Sequence, residues 1–107
     1  MAAEHGFQIQ IMPLQTYSRD RLRLVSGSPA DPPSLLFNYM KEDEDRVMLR
    51  NGVRAARHIF SQKAFDPYRG EEIGPGASIQ SDEAIDEYCR VNGKPTHHPC
   101  ATCMMGE

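Results

Sequence analysis

The sequence contains no tryptophan, and its apolar runs stay far below the roughly 20 residues that a membrane-spanning helix needs. Its first residues, "MAAEHGFQIQ", have neither the basic flank nor the apolar core of a secretory signal peptide. We therefore expect a protein of the cytoplasm, or one bound peripherally at the inner membrane, with no export signal. A formal net charge of −3 argues against nucleic acid as a partner, because phosphate backbones attract positively charged surfaces.

Cysteine is also scarce. Cys89, Cys100 and Cys103 are an odd number without the spacing of a disulfide framework, which fits a reducing compartment. A structural zinc site needs four ligands, and in the closing stretch "PTHHPCATCMMGE" only Cys100 and Cys103 form a good pair. A redox CxxC would follow a strand and open a helix, whereas this one follows a proline loop. Taken alone, these residues favour a packed loop with reduced cysteines.

At 107 residues the chain has room for one domain, and its N-terminal third shows the two-residue period of strands. Residues 7–11 ("FQIQI") alternate apolar side chains with glutamine, and residues 21–26 ("RLRLVS") begin by alternating arginine with leucine. Each segment predicts a strand with one buried face, and the two can be antiparallel neighbours. The short apolar run "LLF" at 35–37 is consistent with a further buried strand.

The period changes to that of a helix at residues 43–62, where apolar residues recur at spacings of four, three and four. Gly52 lies inside this helix and indicates close packing, since glycine there costs about 1 kcal/mol relative to alanine. Ser81 is a suitable N-cap for a second, shorter helix that ends near Gly93. The order of strands, long helix, loop and short helix predicts an α+β fold.

The stretch "HHPCATCMMG" resembles the active-site loop of the glucose-methanol-choline (GMC) family of flavin oxidoreductases. In order along the chain, "EHGFQ", "LLFNYM", "DPYRGEEIGPG" and "QSDEAIDEYCR" resemble the choline dehydrogenase branch. The resemblance implies that residues 1–107 are part of the C-terminal, substrate-binding domain, with antiparallel sheet strands and two helices. No GxGxxG occurs, so the Rossmann part that binds FAD is lacking, and FAD is expected in the complete enzyme rather than on this chain alone.

Within the motif, the resemblance places His98 at the position of the catalytic base. It implies an alcohol dehydrogenase that converts choline to betaine aldehyde, with hydride transfer to the flavin and the proton accepted by His98. Imidazole suits this role because it titrates near the working pH. His97 stands where an aromatic residue is common and is interpreted as a wall residue or a solvated side chain. Pro99 and Thr102 are expected to shape the loop, and the electron acceptor is left open.

At two positions the sequence has another residue where the family pattern usually has glycine. Ala101 and Asp20 each replace a usual glycine, and an added Cβ is harmful where that glycine has a positive φ. Aspartate tolerates that conformation better than alanine does. Phe37, Tyr39 and Tyr68 are interpreted as core or turn residues rather than as a cage for an ammonium group.

The resemblance implies an incomplete enzyme that is inactive as an isolated chain and self-associates through exposed edges. A small alcohol, choline in the first place, is the expected substrate of the complete protein. The alternative is a noncatalytic small domain that binds a metal or a protein partner through the C-terminal histidines and cysteines.

Overall fold

The fold combines two short strands with two helices. The computed structural model describes residues 5–98 and 105–106. Its elements are β1 (Arg21–Arg23), β2 (Ser34–Leu36), α1 (Asp43–Phe60), a 3₁₀ turn (Lys63–Phe65) and α2 (Asp82–Asn92). The α+β prediction is confirmed. No helix in the described ranges combines the length and hydropathy that crossing a bilayer requires.

Helix α1 has the charge distribution that its dipole favours. Acids occupy its first turn, and Arg57 and His58 lie in its last turn. The side chain of its N-cap, Glu42, accepts no capping bond, but Ser18 Oγ accepts the Glu42 backbone N–H at 3.1 Å. A hydroxyl that is distant in sequence therefore satisfies the backbone N–H of the N-cap residue.

Helix α2 begins and ends as the sequence predicts. Ser81 Oγ accepts the backbone N–H of Ala84 at 3.2 Å, and the helix stops at Asn92, directly before Gly93. The helix packs against α1, and Ile85 on its inner face is completely buried. In the described part of the chain only two other apolar side chains are buried to a similar degree, Val53 and Ala56 of α1. The apolar core is therefore small and lies on these two helices.

Ion pairs align the two helices. Arg50 donates two parallel hydrogen bonds to Asp86, from Nε to Oδ1 at 2.7 Å and from Nη2 to Oδ2 at 2.5 Å. One turn further along α1, Arg54 pairs with Asp82. The hydrogen bond to Asp86 is the main reason why the pKa of Arg50 is raised above its usual value. Two paired guanidinium groups fix the position of α2 along α1 more specifically than apolar contact alone.

Residues 7–11 do not form a strand, so this prediction is wrong. They extend along α1 instead: the ring of Phe7 lies 5.0 Å from that of Phe60, and Ile11 contacts Gly52. Four extended residues span about 13 Å, and the eight helical residues from Gly52 to Phe60 rise about 12 Å. Because the two lengths match, alternate side chains of residues 7–11 can contact α1. The two-residue period had been interpreted as a strand of a sheet. The contact at Gly52 confirms the close packing predicted there.

The sheet pairs β1 with β2, which replaces the pairing expected between residues 7–11 and 21–26. The two strands are antiparallel, with Leu22 opposite Leu35 in the middle of the register. All six strand residues are exposed, so the burial expected for the "LLF" run is not observed. Leu36 is 46% exposed and Phe37, just past the strand, is 55% exposed. The hairpin therefore presents apolar side chains to solvent.

A buried carboxylate holds the N-terminal segment on α1. Asp45 is 3% exposed, and its two oxygens accept the backbone N–H groups of Tyr17 and Ser18, each at 2.8 Å. Burial alone would raise the pKa of Asp45. The Ser18 hydroxyl, the two N–H groups and the nearby charge of Arg19 outweigh burial and lower that pKa below its usual value. The folded state thus favours the ionised form of this carboxylate.

Gly52→Ala is expected to destabilise the fold, although alanine favours helices. The new Cβ would overlap Ile11 Cγ2, a methyl group on a stiff, branched side chain. Overpacking costs about 2 kcal/mol and helix propensity returns about 1 kcal/mol, so urea denaturation should show a net loss of about 1 kcal/mol. In an Ile11→Ala background the same substitution should instead stabilise. A stabilising effect in the unmodified chain would contradict the contact.

Asp45→Asn is expected to lower the free energy of unfolding by about 2 kcal/mol near neutral pH, because an amide offers one acceptor to two N–H donors. The folded-state pKa of Asp45 lies below that of the unfolded chain. Its stabilisation is therefore complete above the unfolded-state pKa of about 4 and is lost as the pH falls through the folded-state value. The difference between the two proteins should shrink in that acidic range. Glu44→Gln, at an exposed neighbouring acid, is the matched control and should change little.

Candidate active site

His98 lies on an exposed loop that follows α2. The helix ends at Asn92, and residues 93–98 continue without regular structure, with both His97 and His98 exposed. Thr96 Oγ1 contacts Met12 Sδ at 3.0 Å, which ties this loop to the N-terminal segment. Two attachments thus determine where the candidate base lies: the packing of α2 on α1, and the contact with a segment that itself extends along α1.

The backbone turns at His97, immediately before the candidate base. His97 has φ +60°, which is in the left-handed region that few non-glycine residues adopt. Met40 is the other such residue in the described ranges. No local pattern in the sequence indicates this conformation, and the interpretation of His97 as a wall residue or a solvated side chain concerns its imidazole alone.

Most of the closing motif lies outside the described residues, namely Pro99, Cys100, Ala101, Thr102, Cys103 and Met104. The loop-shaping roles of Pro99 and Thr102 and the effect of Ala101 therefore stay predictions. Beyond this gap, Gly106 has φ +149°, a conformation that favours glycine. The backbone conformation thus explains why a glycine is suited to this position at the end of the motif.

Asp20 is free of the strain considered above, since its φ is not in the left-handed region. Its Oδ1 accepts the backbone N–H of Asn38 at 3.4 Å, and the Asn38 side chain donates to the carbonyl of Arg19 at 2.8 Å. These bonds connect the residue before β1 to the chain just after β2. Aspartate therefore fits this position beside the hairpin, and its presence in place of the usual glycine does not strain the backbone there.

Cys89 lies on α2 and is partly buried, as the sequence predicted for a helix-face residue. Burial, with a smaller contribution from the negative charge of Asp86, raises the pKa of its thiol. A thiol with a raised pKa stays protonated near neutral pH and is a poor nucleophile. Cys89 is therefore a packing residue.

The aromatic residues weighed as core or turn residues are all exposed. Tyr39 and Tyr68 lie in turns, while Phe37 stacks on Tyr39 with ring centroids 5.4 Å apart and planes 12° apart. None of the three belongs to the core. The interpretation of Tyr39 and Tyr68 as turn residues is confirmed, and a core position for Phe37 is ruled out.

Neither helix start suits a flavin pyrophosphate. A dinucleotide site places a glycine-rich turn between a parallel strand and a helix N-terminus. Here the strands are antiparallel, and acids crowd both first turns: Asp43, Glu44 and Asp45 in α1, Asp82 and Glu83 in α2. Negative side chains at these positions repel phosphate. The described residues therefore do not fit the phosphate-binding part of a flavin site.

The described ranges, 5–98 with 105–106, contain no group of three histidine, cysteine or acidic side chains placed to hold a metal ion. The zinc hypothesis depends on Cys100 and Cys103, which are outside these ranges. It stays a hypothesis that requires a direct measurement.

The family model described as GMC oxidoreductase matches residues 16–107. The oxygen-dependent choline dehydrogenase of Pseudomonas syringae pathovar tomato is 46% identical over 103 residues, which are 96% of this chain and 18% of that protein. The protein of the same name from Brucella ovis is 46% identical over 98% of the chain and 19% of its own length. That from Chromohalobacter salexigens is 45% identical over 96% and 18%.

The chain thus spans about a fifth of the length of these curated relatives. No solved structure gives a significant match.

Proposed function

The chain belongs to the GMC oxidoreductase family, and we propose that it forms part of the C-terminal, substrate-binding domain of a flavin-dependent enzyme that oxidises choline. The observation that carries the proposal is 46% identity to an oxygen-dependent choline dehydrogenase over 96% of the chain. A match this long includes the helices that position the loop as well as the loop itself. Residues 1–107 then contribute the substrate side of the site, and the FAD-binding Rossmann part is supplied elsewhere.

In this proposal His98 accepts the hydroxyl proton of the alcohol. Removing that proton makes the carbon-bound hydrogen easier to lose as hydride, and an imidazole is suited to the task. The exposed position of His98 on the loop after α2 is compatible with the role, because a base must reach a substrate. The only chemical step that we propose for this chain is the acceptance of that proton.

FAD is assigned to the longer enzyme. GMC oxidoreductases are in general flavin-dependent, and the acidic first turns of α1 and α2 support a division of labour in which other residues bind the phosphates. This chain would then face the substrate. The names of the relatives couple choline to oxygen, so oxygen is the electron acceptor to test first.

The isolated chain is expected to self-associate. Large apolar side chains on and around the hairpin are exposed, and short strands with free edges favour pairing with another chain. In a complete enzyme these faces would be covered by other residues. The exposed set comprises Leu22, Leu24, Val25, Leu35, Leu36, Phe37 and Tyr39.

His98→Gln tests the assignment of the base. This chain replaces the matching segment of the Pseudomonas syringae enzyme, and choline-dependent oxygen uptake is measured per bound flavin. Loss of a general base costs about 100-fold or more in kcat/KM, and bound flavin should be unchanged. His58→Gln, at an exposed histidine of α1, is the control and should keep its activity. Activity of the His98 variant within twofold of the parent would remove His98 from the mechanism.

The noncatalytic alternative has its own measurement. If the chain is a noncatalytic metal-binding domain, the purified chain carries zinc in a one-to-one ratio, and Cys100→Ala releases it. We expect substoichiometric zinc that is unaffected by this substitution. Stoichiometric, cysteine-dependent zinc would favour the metal-binding domain over the enzyme fragment.

A further inference from the structure

We infer that His97 is a positioning residue whose left-handed backbone, rather than its imidazole, sets the direction in which His98 projects. The inference rests on the proposed role of His98 as the base. It assigns to His97 a function different from that of a wall residue or a solvated side chain.

The conformation of His97 is the first step. With φ +60°, its Cβ crowds the following carbonyl oxygen, and most side chains avoid this arrangement. Histidine, asparagine and aspartate tolerate it several times better than other non-glycine residues, and β-branched residues hardly adopt it. A histidine is therefore suited to this position for a reason that does not involve its ring.

Prolines on both sides of the two histidines restrict the backbone of the loop. Proline fixes its own φ and biases the residue before it towards an extended conformation. In the sequence "PTHHP", Pro95 thus stiffens the approach to the bend, and as the residue before a proline His98 is itself biased towards the extended region. The change of direction is left to His97, where the chain bends.

Thr96 attaches the loop to the N-terminal segment just before the bend. Its hydroxyl contacts Met12 Sδ at 3.0 Å, which holds the near side of the bend against the N-terminal segment. With that side fixed, a change of φ at His97 swings the residue that follows. His98 is that residue, so its imidazole moves with the left-handed conformation of its neighbour.

A series of substitutions at His97 separates backbone from side chain. In the chimeric enzyme described above, His97→Gly and His97→Asn should keep kcat within about twofold of the parent, because both residues adopt positive φ readily. His97→Val should lower kcat at least about tenfold with KM changed less than threefold and with bound flavin unchanged, because valine disfavours that conformation. His97→Ala should fall between these two results.

The pH profile separates positioning by the backbone of His97 from electrostatic tuning by its imidazole. Removing an imidazole that tunes His98 electrostatically would shift the pKa seen in kcat/KM, whereas His97→Gly should reproduce the parental profile. A glycine variant as impaired as the valine variant would overturn the inference, and so would a valine variant with parental kcat. These outcomes leave the proposed function intact if His98→Gln is inactive, whereas an active His98→Gln would reject the role of His98 as the base, on which the inference rests.

Discussion

The carboxylate of Asp45 accepts the backbone N–H groups of Tyr17 and Ser18, and the position of the N-terminal segment depends on this interaction. From that point, residues 7–18 run back along α1, with Ile11 over Gly52 and Phe7 against Phe60. The same segment presents Met12 to Thr96. A polar contact at the start of α1 is therefore connected, through a line of packed residues, to the loop that carries the candidate base.

The small core explains why such polar contacts matter. In the described part of the chain three apolar side chains are buried, and many large ones are exposed. Exposed ion pairs stabilise little individually, but the paired bonds between Arg50 and Asp86 restrict how α2 lies on α1. Because α2 leads directly into the loop, the placement of this helix affects where the candidate base lies. The exposed apolar hairpin fits a domain that packs against further parts of a GMC oxidoreductase.

Local patterns predicted the helices well because the period of apolar residues and the capping chemistry act over a few residues. Ser81 and the run from Asp43 are examples. The segment 7–11 was predicted wrongly because its alternation reports a line of apolar side chains without identifying the surface that they contact. Asp45 looked like one of several acids at a helix start, since a contact with residues 27 and 28 positions away leaves no local signature. His98 came from family resemblance, and the left-handed backbone at His97 is visible only in three dimensions.

The proposal that this chain supplies the substrate side of a choline-oxidising flavoenzyme can be tested by anaerobic mixing. The flavin-loaded chimera that carries this chain is mixed with choline, and flavin absorbance is followed. We expect choline to bleach the flavin, and a choline analogue without the hydroxyl group to leave it oxidised. A chimera that binds flavin in full yet shows no choline-dependent bleaching would contradict it.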